Sequence, residues 1–200
     1  MRVVPSRRQL ARLTTVVLAA TLAACGDDPA SPIEGGGDPE NVSRVTVTLT
    51  PTGGGTAQSS VIVDPDGSQL PLPPNAATGT LALTKGVTYS GRLAILNDLD
   101  PKDIVDIAAE IKEEANFHRF FYTVSCAGVT VPDASLDLDT QSPTPAPLGL
   151  TFQVVVAANA GSTTSCTLRV ELRHFETNKG NGLGSVFDTD LSLTFPVIVQ

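Results

Sequence analysis

The segment from Glu110 to Cys126 changes periodicity halfway along. Up to Ala115 the apolar residues Ile104, Ile107, Ala108, Ile111 and Ala115 recur every three or four positions, which makes one stripe of a helix. Asp100 suits an N-cap, Pro101 the first helical position and Asp103 the opening turn, so the spacing predicts a helix over 101–115. A strand follows, with Phe117, Phe120, Phe121 and Tyr122 close together. With only 7 phenylalanines and 2 tyrosines in the chain, this aromatic strand is expected at the centre of the core.

Elsewhere a period of two dominates. Val45, Val47 and Leu49 alternate with Arg44, Thr46, Thr48 and Thr50, the pattern of a half-buried strand. Further strands are expected at Gln58–Val63, Thr80–Thr84, Val87–Leu96, Phe117–Cys126, Ser135–Leu138, Leu150–Ala157, Cys166–Phe175 and Leu191–Val199. They are separated by turn signals such as Thr52–Thr56 and Asp64–Gly67, by proline-rich loops near 71–77 and 143–147, and by the glycine-rich 178–185 loop. Pro196 argues for an edge, or a locally unpaired position, in the last strand. The expected fold is mainly β. It is an antiparallel β-sandwich of Ig-like or Greek-key type with eight or nine strands and one inserted helix near 101–115, spanning 42–200.

The start of the chain reads differently. Arg2, Arg7, Arg8 and Arg12 precede a short apolar run, Leu13 to Leu22, about half the length a membrane span needs. The run ends in Leu22-Ala23-Ala24-Cys25, which resembles the lipobox of bacterial lipoproteins. Residues 1–24 are thus expected to be a signal peptide and Cys25 the acylated N-terminus. Residues 25–41, poor in apolar side chains, form a flexible tether. Acyl chains buried at about 0.8 kcal/mol per methylene would hold such a protein on a membrane. Gly26 after the cysteine favours the outer membrane, and Asp27 and Asp28 resemble an acidic surface-export tether, so the protein is expected to face the periplasm or the cell surface.

Without the leader's four arginines the chain has 9 basic against 21 acidic residues, a net of −12. Such a polyanion does not bind nucleic acid or anionic lipid non-specifically, and it attracts cations. No G-x-S-x-G occurs, and both histidines fall on expected strands. The run 180–184 precedes a strand and lacks the spacing of a phosphate loop, and the aspartates lack calcium-loop spacing. No catalytic residue is assigned, and a non-enzymatic role is expected.

Once Cys25 is lipidated, Cys126 and Cys166 remain. Outside the cytoplasm such a pair on strands points to a disulfide. His118 and His174 each lie eight residues from their strand's cysteine and share its parity. Opposed residues of an antiparallel pair have position numbers with a constant sum. The cysteine numbers sum to 292, and so do the histidine numbers, so one register aligns both pairs. It also pairs Phe120 with Leu172, Tyr122 with Val170 and Val124 with Leu168, and it sets Arg119 against Arg173, which is unfavourable unless acids intervene. Glu114, one helical turn before His118, flanks the apolar stripe. His118, His174 and Glu114 are therefore candidate ligands of a transition-metal ion, in the manner of a two-histidine, one-carboxylate site.

T-V-T-L-T-P-T-G-G-G-T near residue 50, E-I-K-E-E-A-N-F-H-R-F-F-Y near 115 and the closing L-R-H…D-T-D-L-S-L-T-F-P-V-I-V-Q resemble a family of small β-rich lipoproteins found mainly in Bacteroidota. The resemblance covers most of 45–200. It implies a surface or periplasmic β-domain working beside a TonB-dependent outer-membrane receptor, and it implies no reaction. The expected function is an outer-membrane lipoprotein that binds a metal ion or small ligand. The alternatives are a structural or adhesive lipoprotein without a ligand site and, third, an enzyme.

Metabolic labelling with a fatty-acid analogue should mark the wild-type protein and leave Cys25→Ser unlabelled and unprocessed. Label retained by the variant would refute the anchor.

Overall fold

The computed structural model describes residues 41–65, 77–142, 144–180 and 186–200. The leader, Cys25, the tether up to residue 40, most of the 71–77 loop and the glycine-rich run 181–185 lie outside the described residues. In chain order the elements are β1 (Arg44–Pro51), β2 (Gln58–Val63), β3 (Leu81–Leu83), β4 (Thr88–Asn97), β5 (Val105–Asp106), α1 (Ile107–Glu113), β6 (His118–Val124), β7 (Val129–Thr130), β8 (Thr151–Val156), β9 (Thr163–Phe175) and β10 (Phe187–Val199).

The strands form two sheets. One runs β2-β1-β4-β8-β7, with β5 also paired to β4, and the other runs β3-β10-β9-β6. Pairing is antiparallel throughout except between β10 and β3, which are parallel. The fold is thus a mainly β, sandwich-like architecture with one mixed sheet. Period-two patterning produces it directly. Val45, Val47, Leu49, Leu93 and Ile95 of the first sheet share one buried cluster with Leu168, Val170, Leu172, Leu193, Phe195 and Val197 of the second, which removes both apolar faces from water.

The aromatic strand β6 is the edge of its sheet rather than the centre of the core, although Phe120 is fully buried. Its outer flank is covered by the 147–149 loop. Leu148 O accepts from Phe120 N–H at 2.7 Å and Gly149 O accepts from Tyr122 Oη–H at 2.5 Å. Gly149 has φ +95°, and a Cβ there would come within 3.0 Å of Phe120 Cβ, so this cover requires glycine. Burial, with the charge of Asp137 nearby, pushes the Tyr122 phenol well above its ordinary range.

Two further expectations are corrected, for the helix and for residues 135–138, while Pro196 is locally unpaired as expected. The helix is shorter than 101–115, because Asp100-Pro101 opens a turn instead. Asp100 Oδ1 accepts from Lys102 N–H at 2.9 Å and Asp100 O from Asp103 N–H at 3.0 Å. Val105 and Asp106 then pair with β4, so Ile104 stays exposed while Ile107 and Ile111 are buried. Residues 135–138 form no strand. Asp133–Ser135 is a 3-10 turn, and Leu138 makes only an isolated bridge to Pro147, which has no N–H to extend a ladder. Pro196 lies in a strand flanked on both sides, but β3 pairs only with Val197–Val199, so the proline has no ladder partner on that flank.

Helix α1 leads from β4 in one sheet to β6 in the other, with Ile111 wholly buried in the shared core. Replacing Ile111 by Ala should cost about 2–5 kcal/mol in urea denaturation, whereas Ile104→Ala should stay within about 0.5 kcal/mol. Equal losses would mean the helix is docked differently.

Candidate metal centre

The site is assembled from the end of α1 and three neighbouring strands. The helix closes at Glu114, whose N–H reaches Glu110 O at 3.1 Å, and Phe117 N–H returns to Glu114 O at 2.9 Å. This reversal starts β6 at His118. β6 and β9 then pair without a slip from His118↔His174 to Val124↔Leu168, and Ser125 N–H continues to Thr167 O at 3.0 Å. Beyond that end the disulfide joins Cys126 and Cys166, with Cα atoms 5.2 Å apart. The register inferred from the position numbers is the one observed. It stacks the two imidazoles with ring centroids 4.5 Å apart and planes inclined by 33°.

The third member is Asp190. β10 carries an irregularity between Thr189 and Leu191, where the pairing shifts from Thr189↔Arg173 to Leu191↔Leu172. Asp190 is the extra residue of this bulge, and its carboxylate joins the histidines on the inner face. Asp190 Oδ2 lies 3.7 Å from His118 Nε2 and 4.0 Å from His174 Nδ1, and one donor atom from each of the three residues falls within 4.8 Å of the others. Strict alternation back from Leu191 would put Asp190 outside with Ser192, which is why sequence parity misses it. The only trace in the sequence is the D-T-D run where the strand begins.

Glu114 is placed otherwise than as a ligand. It is exposed, and it is its backbone oxygen that contacts His118, accepting from Nδ1 at 3.2 Å. A carbonyl can only accept, so Nδ1 carries the proton. In the neutral ring the lone pair is then on Nε2, facing Asp190 and His174. Metal-bound histidines are commonly oriented by this kind of outer hydrogen bond. The His118 side chain is fully buried, and those of His174 and Asp190 are each 11% exposed. Phe117 packs at the edge of His174, with ring centroids 6.4 Å apart.

A buried ion pair fixes the helix end that supplies the Glu114 carbonyl. Lys179 Nζ donates to Ala115 O and to Asp139 Oδ2, and Lys179 N–H donates to Asn116 O at 2.8 Å. Both charged side chains are fully buried. Asp139 also accepts from Ser142 N–H at 3.0 Å and Ser142 Oγ–H at 3.3 Å. The cation thus caps the carbonyl end of α1, where the helix dipole favours it. On the outer face of the second sheet the Arg119–Arg173 pairing is offset by acids. Asp133 lies 2.8 Å from Arg119 and Glu171 2.6 Å from Arg173, and both guanidiniums stack on Phe121.

No family model matches the chain, and neither a curated protein nor a solved structure matches it. The chemistry of the site is therefore read from its geometry alone.

Burial alone would raise the Asp139 carboxyl, but hydrogen bonds from Lys179 and Ser142 outweigh it and hold it below its ordinary 3.8. Burial lowers the Lys179 amine, with Asp139 opposing. A depressed carboxyl contributes stability that is complete above the unfolded value and is lost as pH falls through the folded one. Stability should therefore drop as pH falls below about 4. Asp139→Asn should lose about 3–5 kcal/mol at pH 7, because it strands a buried ammonium, and should show a flatter acid limb in denaturation at pH 7, 4 and 3.

Proposed function

We propose that the domain binds one divalent transition-metal ion through His118 Nε2, His174 Nδ1 and Asp190 Oδ2. In this reading it serves as a lipid-anchored outer-membrane protein that holds the ion beside a receptor. The observation that carries the metal reading is the convergence of these three atoms on one buried point. Bonds of about 2.0–2.2 Å to a tetrahedral ion put neighbouring donors roughly 3.3–3.5 Å apart. The 3.7 and 4.0 Å separations to Asp190 need a small contraction, and the group as a whole, within 4.8 Å, must close further around an ion. Two imidazoles and one carboxylate suit zinc, copper, iron or nickel better than magnesium or calcium.

Further support comes from charge and sequence. The expected mature chain's net of −12 draws cations toward it. The lipobox and tether are the grounds for the anchor, and the resemblance to β-rich lipoproteins is the ground for a receptor partner. The competing reading is a structural or adhesive domain in which protonated His118 simply pairs with Asp190.

Metal content and calorimetry separate the two. Purified mature protein should take up one zinc or copper ion per chain. His174→Ala and Asp190→Asn should each weaken uptake at least tenfold while the domain stays folded by circular dichroism. A folded domain that remains metal-free in excess zinc, iron and copper would establish the structural reading.

A further inference from the structure

Building on that metal reading, we infer that the bound ion keeps a coordination position open to a small exogenous ligand, a neutral nitrogen donor or a small anion. Among the described residues three protein donors converge. Ions held only for structure are closed by four, whereas three protein ligands leave a place for water or an incoming group. The burial of the three is graded. His118 forms the closed floor, and His174 and Asp190, each 11% exposed, form the side nearer solvent. The vacant direction of an ion bound here is therefore toward that rim.

The rim itself is acidic. Asp188 pairs directly opposite His174 and is exposed, and opposed residues of an antiparallel pair project to the same face. A carboxylate at the mouth guides a cation inward. The frame, meanwhile, has other supports. The disulfide and the seven-pair ladder hold β6 to β9, the Glu114 carbonyl orients His118, and the Lys179–Asp139 pair secures the helix end. The donors are arranged by contacts independent of an ion, so an ion can enter and leave a folded domain instead of being required for folding.

Cobalt(II) reports coordination directly through its visible absorption. Mature protein loaded with one equivalent of cobalt should change spectrum on titration with azide or imidazole, saturating at one ligand per ion. A chelator should then strip the metal with no change in circular dichroism. Asp188→Asn should take up cobalt more slowly, yet once loaded it should respond to azide. Cobalt bound one to one with a spectrum indifferent to both ligands would mean a fourth protein donor closes the ion, which overturns the inference and leaves the metal reading standing. An azide response that arises only in Asp188→Asn would overturn it too, identifying Asp188 as that donor. Failure to bind cobalt, zinc or copper would overturn both readings.

Discussion

The unbroken antiparallel ladder between β6 and β9 is the constraint on which the rest of the site depends. Seven consecutive pairs run from His118↔His174 to Val124↔Leu168, and Cys126–Cys166 closes the far end covalently. Because side chains alternate across a strand, a slip of β6 by one residue would turn Phe120 and His118 to the other face, away from Leu172 and His174. The disulfide makes such a slip impossible without breaking a bond, and closing its loop contributes on the order of 3–4 kcal/mol. The pairing of the imidazoles thus follows from the same contacts that build the core.

Against this regular ladder, the neighbouring β9–β10 pair is deliberately irregular. One extra residue at Asp190 brings a carboxylate to a face that alternation reserves for apolar side chains. A carboxylate in such a position is costly unless a cation accompanies it. The two imidazoles lie 3.7 and 4.0 Å from its oxygen, the group on which the metal proposal rests. The same economy of charge governs the surroundings. Lys179 and Asp139 are buried together, and Arg119 and Arg173 both lie over the Phe121 ring and pair with Asp133 and Glu171.

Helix α1 connects the two halves of this arrangement. Ile107 and Ile111 seat it in the shared core, and its last carbonyls are divided among functions: Glu114 O orients His118, and Ala115 O takes the Lys179 ammonium. A seven-residue helix has little stability of its own. Its packing and the capping cation therefore determine how firmly His118 is held.

The strands with clean alternation, the histidine and cysteine register, and the amphipathic core of the helix were all legible in the sequence, because each rests on local periodicity or on the arithmetic of antiparallel pairing. Asp100-Pro101 was not, since the same residues cap a helix or open a turn, and only the pairing of Val105–Asp106 with β4 decides between them. The third site residue was not either. Glu114 has a sensible spacing from His118, yet the chain reversal at the helix end turns its backbone oxygen, not its carboxylate, toward the ring. Asp190 is brought there by a single-residue bulge, and a bulge is a product of how two strands fit against the rest of the sheet. Sequence alone determined which strands alternate and which residues face each other across one ladder. The tertiary structure decided which carboxylate completes the group, because that depends on a break in periodicity that no periodic pattern contains.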